Sequence, residues 1–132
     1  MKFYTNVTQY NNVILERYIE DGEHKQREVP YMPTLYINSV KQTPFKTIKG
    51  EQVEPKMFNS IKEARNYIQE HRASNNPIYG MQQFAYAYIN EEYPKREFDV
   101  NQLNVLNFDI ETRSDEGFPN IGEADKEILS IA

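Results

Sequence analysis

The chain has 132 residues, 39% of them apolar, with ten Tyr and seven Phe, which is enough to build one domain's core and excludes wholesale disorder. It has no cysteine, so neither a disulfide framework nor a thiolate metal site is open to it. Its net charge of −5 is uneven: residues 1–100 hold 13 basic and 13 acidic groups, and residues 101–132 hold two basic and seven acidic ones. A neutral first part argues against a strongly basic nucleic-acid-binding domain and leaves room only for local patches. The N-terminal "MKFYTNVTQY" lacks the apolar run of a signal peptide, and no segment is long enough to span a membrane. A cytosolic setting is therefore expected, in which the sequon Asn6-Val7-Thr8 carries no glycan.

In chain order, "KFYTNVTQ" and "VILERYIE" flank "YNN" and predict a β-hairpin, with "DGEHK" as the next turn. "QREVPYMPTLYINS" reads as a strand, a proline break and a second strand, with Pro30 and Pro33 suited to an edge or a bend. "FKTIKGEQVE" predicts a further hairpin with Lys49-Gly50 at its tip. "NSIKEARNYIQEHR" is the main helix. Ser60 and Glu63 make a capping box, Ile61, Ala64 and Ile68 share one face with Tyr67 and His71 beside them, and the helix is expected to stop near Ser74-Asn75-Asn76-Pro77. In "QQFAYAYIN", Phe84, Tyr86 and Tyr88 alternate with Ala85, Ala87 and Ile89, which predicts a strand with an aromatic face. "QLNVLNFDIE" predicts the last long strand, apolar on both faces through Val105, Leu106, Phe108 and Ile110, as a central strand is. The order gives an α+β class, mostly antiparallel strands with one main helix, followed by the opening of something else. A lone central strand leaves backbone groups unpaired, so residues 112–132 are expected to pair with the first domain or another copy, or to be poorly ordered.

At the end of that strand, Asp109 and Glu111 sit two positions apart and therefore on one face. Two such carboxylates repel unless something positive lies between them. Mg²⁺ and Mn²⁺ take oxygen ligands, and two-metal phosphoryl-transfer sites are built of Asp and Glu. A solvated acidic pair is the other reading of the same spacing.

The stretch "NFDIET", the loop containing "GFP" and the run "EILSIA" together resemble the first exonuclease motif of family B DNA polymerases. Residues upstream resemble the N-terminal domain of polymerases from T-even-type bacteriophages. They include the opening hairpin, "ERYI", the charged turn, "REV" with Tyr31 and Pro33, "IKEARNYIQE" and "YGMQQFAYAYINEEYP". The resemblance covers essentially the whole chain and divides it at 102. Residues 1–102 match the polymerase N-terminal domain, and 103–132 the start of a ribonuclease-H-like 3′→5′ exonuclease whose second strand begins at Ile128-Leu129-Ser130-Ile131. It implies that Asp109 and Glu111 are catalytic, holding Mg²⁺ or Mn²⁺ for proofreading. The family's remaining ligands, the polymerase palm and the segment that completes the N-terminal domain all lie outside these residues. The implied parent is a DNA-directed DNA polymerase of phage replication, acting on template–primer DNA in the host cytosol. Its partner within the molecule is the remainder of the polymerase chain. RNA is a further implied partner, because relatives' N-terminal domains have been tied to it. The portion alone is expected to be inactive.

Other residues are weighed without the resemblance. His24 is expected in a turn and His71 near a helix end, neither with a ligand partner. Phe84, Tyr86 and Tyr88 are either core or a base-stacking face. Lys62, Arg65 and Arg72 on the outer helix face are read as a solvated face, with phosphate contacts as the other reading. Lys41, Lys46, Lys49 and Lys56 are a denser basic cluster and the first place to look for nucleic-acid contacts. With the aromatic strand, they support the alternative of a freestanding single-strand-binding module without catalysis.

Overall fold

The computed structural model describes residues 1–72, 74, 76–114, 117, 120, 122–124 and 126–132. Two compact units are present, Met1–Gln102 and Leu103–Ala132. No helix among the described residues is long and apolar enough to cross a membrane.

The first unit opens with an antiparallel meander of β1 (Lys2–Tyr10), β2 (Val13–Glu20) and β3 (Glu23–Pro30), in that spatial order. Two-residue turns join them. Asn11 takes φ 51°, and Asp21 and Gly22 take φ 53° and 83°, the left-handed pair a tight hairpin demands. The register runs Tyr10↔Val13 and Glu20↔Glu23, and β1 bulges between Tyr4 and Asn6. Pro30 ends β3, an edge strand, where a missing N–H costs least. His24 lies in β3 opposite Ile19, not in a turn as expected, because the tight Asp21-Gly22 turn leaves Glu23 and His24 in the ladder.

A second sheet has the order β5-β6-β4-β7, from β4 (Thr34–Asn38), β5 (Phe45–Lys46), β6 (Gln52–Met57) and β7 (Ile78–Tyr79). The expected β5–β6 hairpin is present, its tip closed by Gly50 N–H to the Thr47 carbonyl at 2.9 Å. Between β6 and β7 runs α1 (Ile61–Arg72). Its capping box forms in a shifted version: Ser60 Oγ accepts from Glu63 N–H at 3.1 Å, and Glu63 Oε2 accepts from Asn59 N–H at 2.9 Å. Ile61, Ala64 and Ile68 are buried as the periodicity requires. Of the expected helix stop, Asn75 lies outside the described residues.

Residues 84–92 overturn an expectation: they form a second helix, α2 (Phe84–Glu92), not a strand. The aromatic spacing fits both periods. Phe84 and Tyr88, one helical turn apart, are 1% and 5% exposed, whereas the intervening Tyr86 is 59% exposed. A strand would have buried all three together. Ala85 and Ala87 tip the local preference toward helix.

The core joins β2, β4, α1 and α2 through Ile14, Leu35, Phe58, Ile61, Ala64, Ile68, Phe84 and Tyr88, with Tyr31 and Tyr93 at its border. Each such aliphatic or aromatic side chain contributes about 1.5–3 kcal/mol by leaving water. Among these apolar groups lies one carboxylate, Glu16, fully buried on β2. It accepts hydrogen bonds from Arg27 Nε and the Tyr93 hydroxyl, and Lys2 Nζ stands 3.7 Å away. Arg27 also donates to the Tyr88 hydroxyl and to Glu92, both at 3.2 Å. Burial is the largest single influence on Glu16 and favours its neutral form. The bonds from Arg27 and Tyr93 and the charges of Lys2 and Arg27 together outweigh it and hold the carboxyl below its ordinary value of 4.5.

The second unit is an antiparallel ladder of β8 (Ile110–Thr112) and β9 (Ile128–Ile131). The long central strand expected over 102–111 does not form. No ladder exists before Asp109, and Val105 and Leu106 are 78% and 83% exposed. An apolar strand forms a central ladder only when sheets or helices cover both its faces. The partner of Ile110–Thr112 is the unit's own Ile128–Ile131 run. Phe118 and Pro119 of the intervening loop lie outside the described residues.

Because the folded carboxyl of Glu16 is the stronger acid, the unfolded chain binds more protons as pH falls below about 4.5, so stability drops there and is fully present above. Tyr93→Phe, which removes one donor to this charge, is expected to cost about 1.5–3 kcal/mol in urea melts at pH 7 and to flatten the acid limb. Ser60→Ala is expected to cost about 0.5–2 kcal/mol by the same measurement.

Candidate functional site

Asp109 and Glu111 lie at the end of the second unit's ladder. Asp109 exchanges both backbone hydrogen bonds with Ala132, at 2.8 and 3.0 Å, and Glu111 is opposite Ser130. This unbroken register from 109 to 111 keeps the two residues on one face, since the irregularity falls only between Glu111 and Thr112. Both are exposed. Asp109 Oδ1 accepts from Ile110 N–H at 2.9 Å, and Glu111 Oε2 accepts from Ser130 Oγ at 3.2 Å. Ion pairs among the described residues engage Glu16, Glu20, Asp21 and Glu92, not these two. Among the described residues, no group of three His, Cys, Asp or Glu side chains is placed to hold a metal. Among the described residues the geometry thus supplies two oxygen donors with spare lone pairs.

The four lysines do not form one surface. Lys46 and Lys49 line a groove of about 680 Å³ on the second sheet. Lys56 instead lies over the rings of Tyr67 and Phe58, at 5.0 and 5.6 Å. Lys41 sits in the loop after β4, its N–H bonded to Ser39 Oγ, and is not part of the groove wall. Strand alternation separates them. Val53, on the groove wall, and Lys56 are three apart on β6 and so point to opposite faces.

Sequence reading missed the groove's floor. Tyr36 and Phe45 meet at 5.3 Å with their rings tilted by 54°, and Tyr79 pairs opposite Tyr36 across β4 and β7. Tyr36 and Phe45 come from consecutive strands, whereas Tyr79 comes from β7, beyond β6 and α1. The one local clue is Phe45 beside the lysine-bearing hairpin. Gly80 forms part of the wall at φ 101°, and a Cβ there would meet the Tyr36 ring at 3.3 Å.

Of the remaining candidates, His71 lies at the end of α1 as expected. It stacks on Tyr67 at 3.9 Å and donates from Nδ1 to the Tyr67 carbonyl at 2.9 Å. Arg65 and Arg72 border a polar recess with Gln69, Gln82 and Gln83. Phe84 and Tyr88 are core, so the aromatic face offered for base stacking does not exist and the freestanding-module reading loses one of its two supports.

No family model matches the sequence. The chain is similar to two phage proteins, both described as DNA-directed DNA polymerase. It is 34% identical over 132 residues to that of Enterobacteria phage T4 and 32% identical over 134 residues to that of Escherichia phage RB69. Each match covers 98% of this chain and 15% of the relative, so the chain spans about a seventh of the proteins it matches.

Gly80→Ala forces a side chain into a left-handed conformation against Tyr36. It is expected to cost about 1–3 kcal/mol in thermal or urea melts and to shift the Tyr36 and Phe45 ring resonances in NMR spectra.

Proposed function

We propose that this chain, homologous to part of the phage DNA-directed DNA polymerases, is the N-terminal portion of such an enzyme. Residues 1–102 are its N-terminal domain, and residues 103–132 open a 3′→5′ proofreading exonuclease in which Asp109 and Glu111 are metal-holding catalytic carboxylates. The observation that carries the reading is similarity running through 98% of the chain to two polymerases. Family B membership, the exonuclease and the metal rest on the "NFDIET" resemblance and on the two carboxylates sharing a ladder face. The partners are template–primer DNA, with RNA as a further nucleic acid, and the rest of the polymerase, in the host cytosol.

The donor set fits a share of a Mg²⁺ or Mn²⁺ site. Both side chains offer hard oxygen donors, and neither is taken up by a lysine or arginine among the described residues. Mg²⁺ prefers about six oxygens, so two carboxylates require further ligands from elsewhere. When bound, such ions supply a polarised water and neutralise charge at the scissile phosphate. This chain's own contribution is to hold and orient. The Asp109–Ala132 pairing fixes one carboxylate's backbone, and Ser130 Oγ steers the other.

Two measurements test the reading. Millimolar Mn²⁺ is expected to broaden the amide resonances of residues 109–111 and 130, and Asp109→Asn with Glu111→Gln is expected to abolish this. Broadening centred elsewhere, or surviving the double change, overturns the metal assignment. The chain alone is expected not to cleave single-stranded DNA with Mg²⁺ or Mn²⁺. Metal-dependent cleavage that disappears in Asp109→Ala would show a complete nuclease in these residues and sink the partial-site reading.

A further inference from the structure

One side of α1 carries a row of polar side chains without partners. Arg65, Gln69 and Arg72 stand at i, i+4 and i+7 and so share a face, beside the buried Ile68. Together with Gln82 and Gln83, just before α2, they line a recess of about 500 Å³. Among the described residues, none of these five polar side chains is held by a hydrogen bond or an ion pair. The sequence withholds compensation as well. The helix positions three and four residues from Arg65 are Ile61, Lys62, Ile68 and Gln69, and those before Arg72 are Ile68 and Gln69, so neither guanidinium has an acidic neighbour along α1. Two adjoining recesses, of about 350 and 290 Å³, share Gln82 with the first, and none of the described residues lining the three is acidic.

We propose that this recess docks an extended acidic segment of a separate protein, two of its carboxylates meeting Arg65 and Arg72 and its backbone meeting the three glutamines. A guanidinium meets a carboxylate in a two-bond fork, which a lysine does not offer. Seven helical residues set the two arginines about 10.5 Å apart along the axis of α1. Carboxylates two to four residues apart on an extended chain span about 7–13 Å, which brackets that distance. The glutamines decide between a peptide and a nucleic acid. Each carboxamide both donates and accepts, as a peptide backbone does, whereas a phosphodiester only accepts and leaves the carboxamide oxygens idle. The central recess also has no ring among its lining residues on which a base could stack. An apolar segment would leave both guanidinium groups without a counter-charge. The site lies in the first unit and does not rest on the metal reading, so Asp109 and Glu111 can fail their test without touching it.

Titrating the whole chain with a short peptide of alternating Glu and Ser tests the site. The readout is the NMR side-chain resonances of Gln69, Gln82 and Gln83 and the Nε–H resonances of Arg65 and Arg72. A peptide of alternating Gln and Ser and an oligothymidylate of matched length serve as the other arms. The Glu peptide is expected to shift all five side chains, less so as salt is raised, and the Gln peptide to leave them in place. Arg65→Gln with Arg72→Gln is expected to weaken binding about five-fold or more. Arg65→Lys with Arg72→Lys, which keeps the charge and loses the fork, is expected to weaken it about two- to three-fold. The proposal is overturned if the Glu peptide leaves these resonances unmoved, if the Gln peptide moves them equally, or if either variant binds as the unaltered chain does. It is also overturned if the oligothymidylate binds there more tightly, which makes the recess a phosphate site. Should a variant melt earlier than the unaltered chain, the resonance map of the unaltered chain decides by itself. Shifts confined to the recess uphold the site, and shifts centred elsewhere overturn it.

Discussion

The first unit is organised around a charge that ought not to be where it is. Glu16 occupies a β2 position on the same face as Ile14, fully buried, where an isolated carboxylate would lose several kcal/mol of hydration. It stays ionised because three separate elements bring compensation. β3 brings Arg27, the residue just past α2 brings the Tyr93 hydroxyl, and the start of β1 brings Lys2. Arg27 in turn reaches Tyr88 and Glu92 on α2, and Lys2 reaches Glu92 at 3.0 Å. The phenols respond as a charged neighbour and burial require. Burial first, and Glu16 second, push Tyr93 well above the ordinary phenol range, and Tyr88 rises to about 12, mainly through burial. Apolar packing would accept α2 at several angles across the meander. A carboxylate that must meet a guanidinium and a phenol at once accepts one, so the network's main effect is on uniqueness of docking, not on net stability.

The two units stand in different energetic regimes. The first buries aliphatic and aromatic groups from both sheets and both helices. The second is a short two-stranded ladder whose Ile110, Ile128, Leu129 and Ile131 are all exposed. A ladder of that size is marginally stable by itself in water. The acidic pair therefore rides on the less stable unit, while the aromatic groove rides on the more stable one. Preorganisation follows the same division: the groove's rings are already held by a sheet, whereas two exposed carboxylates on a marginal ladder would have to be ordered as any ion bound.

What the sequence disclosed was local. Asp21-Gly22 and Asn11-Asn12 announce their turns because few residues tolerate the left-handed backbone a tight hairpin needs. Ser60 with Glu63 announces a helix start, since the same atoms cap it in the fold. The misread stretches are those where two periods coincide or where cover is missing. Phe84, Tyr86 and Tyr88 satisfy alternation and an i, i+4 pair at once, and only the tertiary choice to bury two of the three separates them. Residues 103–108 have a central strand's composition but no layer upon them. Glu16 was invisible as a core residue because "LERY" reads like the solvent side of a strand. Its partners Arg27 and Tyr93 lie 11 and 77 residues away.

The candidate sites show the same limit. Asp109 and Glu111 are legible because strand alternation converts a spacing of two into a shared face, and the ladder to Ala132 and Ser130 preserves that relation. The lysine cluster was legible as composition and misleading as geometry. Four basic residues within 16 positions suggest a patch, but alternation along β6 sends Lys56 to the face where Tyr67 lies, while Lys46 and Lys49 lie in the hairpin that borders the groove. The groove needs a fact no window contains, that β7, 33 residues beyond Phe45, returns to pair with β4 and sets Tyr79 beside Tyr36. A helix, α1, intervenes between the hairpin and that returning strand, so the aromatic floor exists only once α1 has packed and carried the chain back across the sheet. The groove thus depends on the folded state of the whole first unit. Metal at the acidic pair would sense only the pairing of β8 with β9.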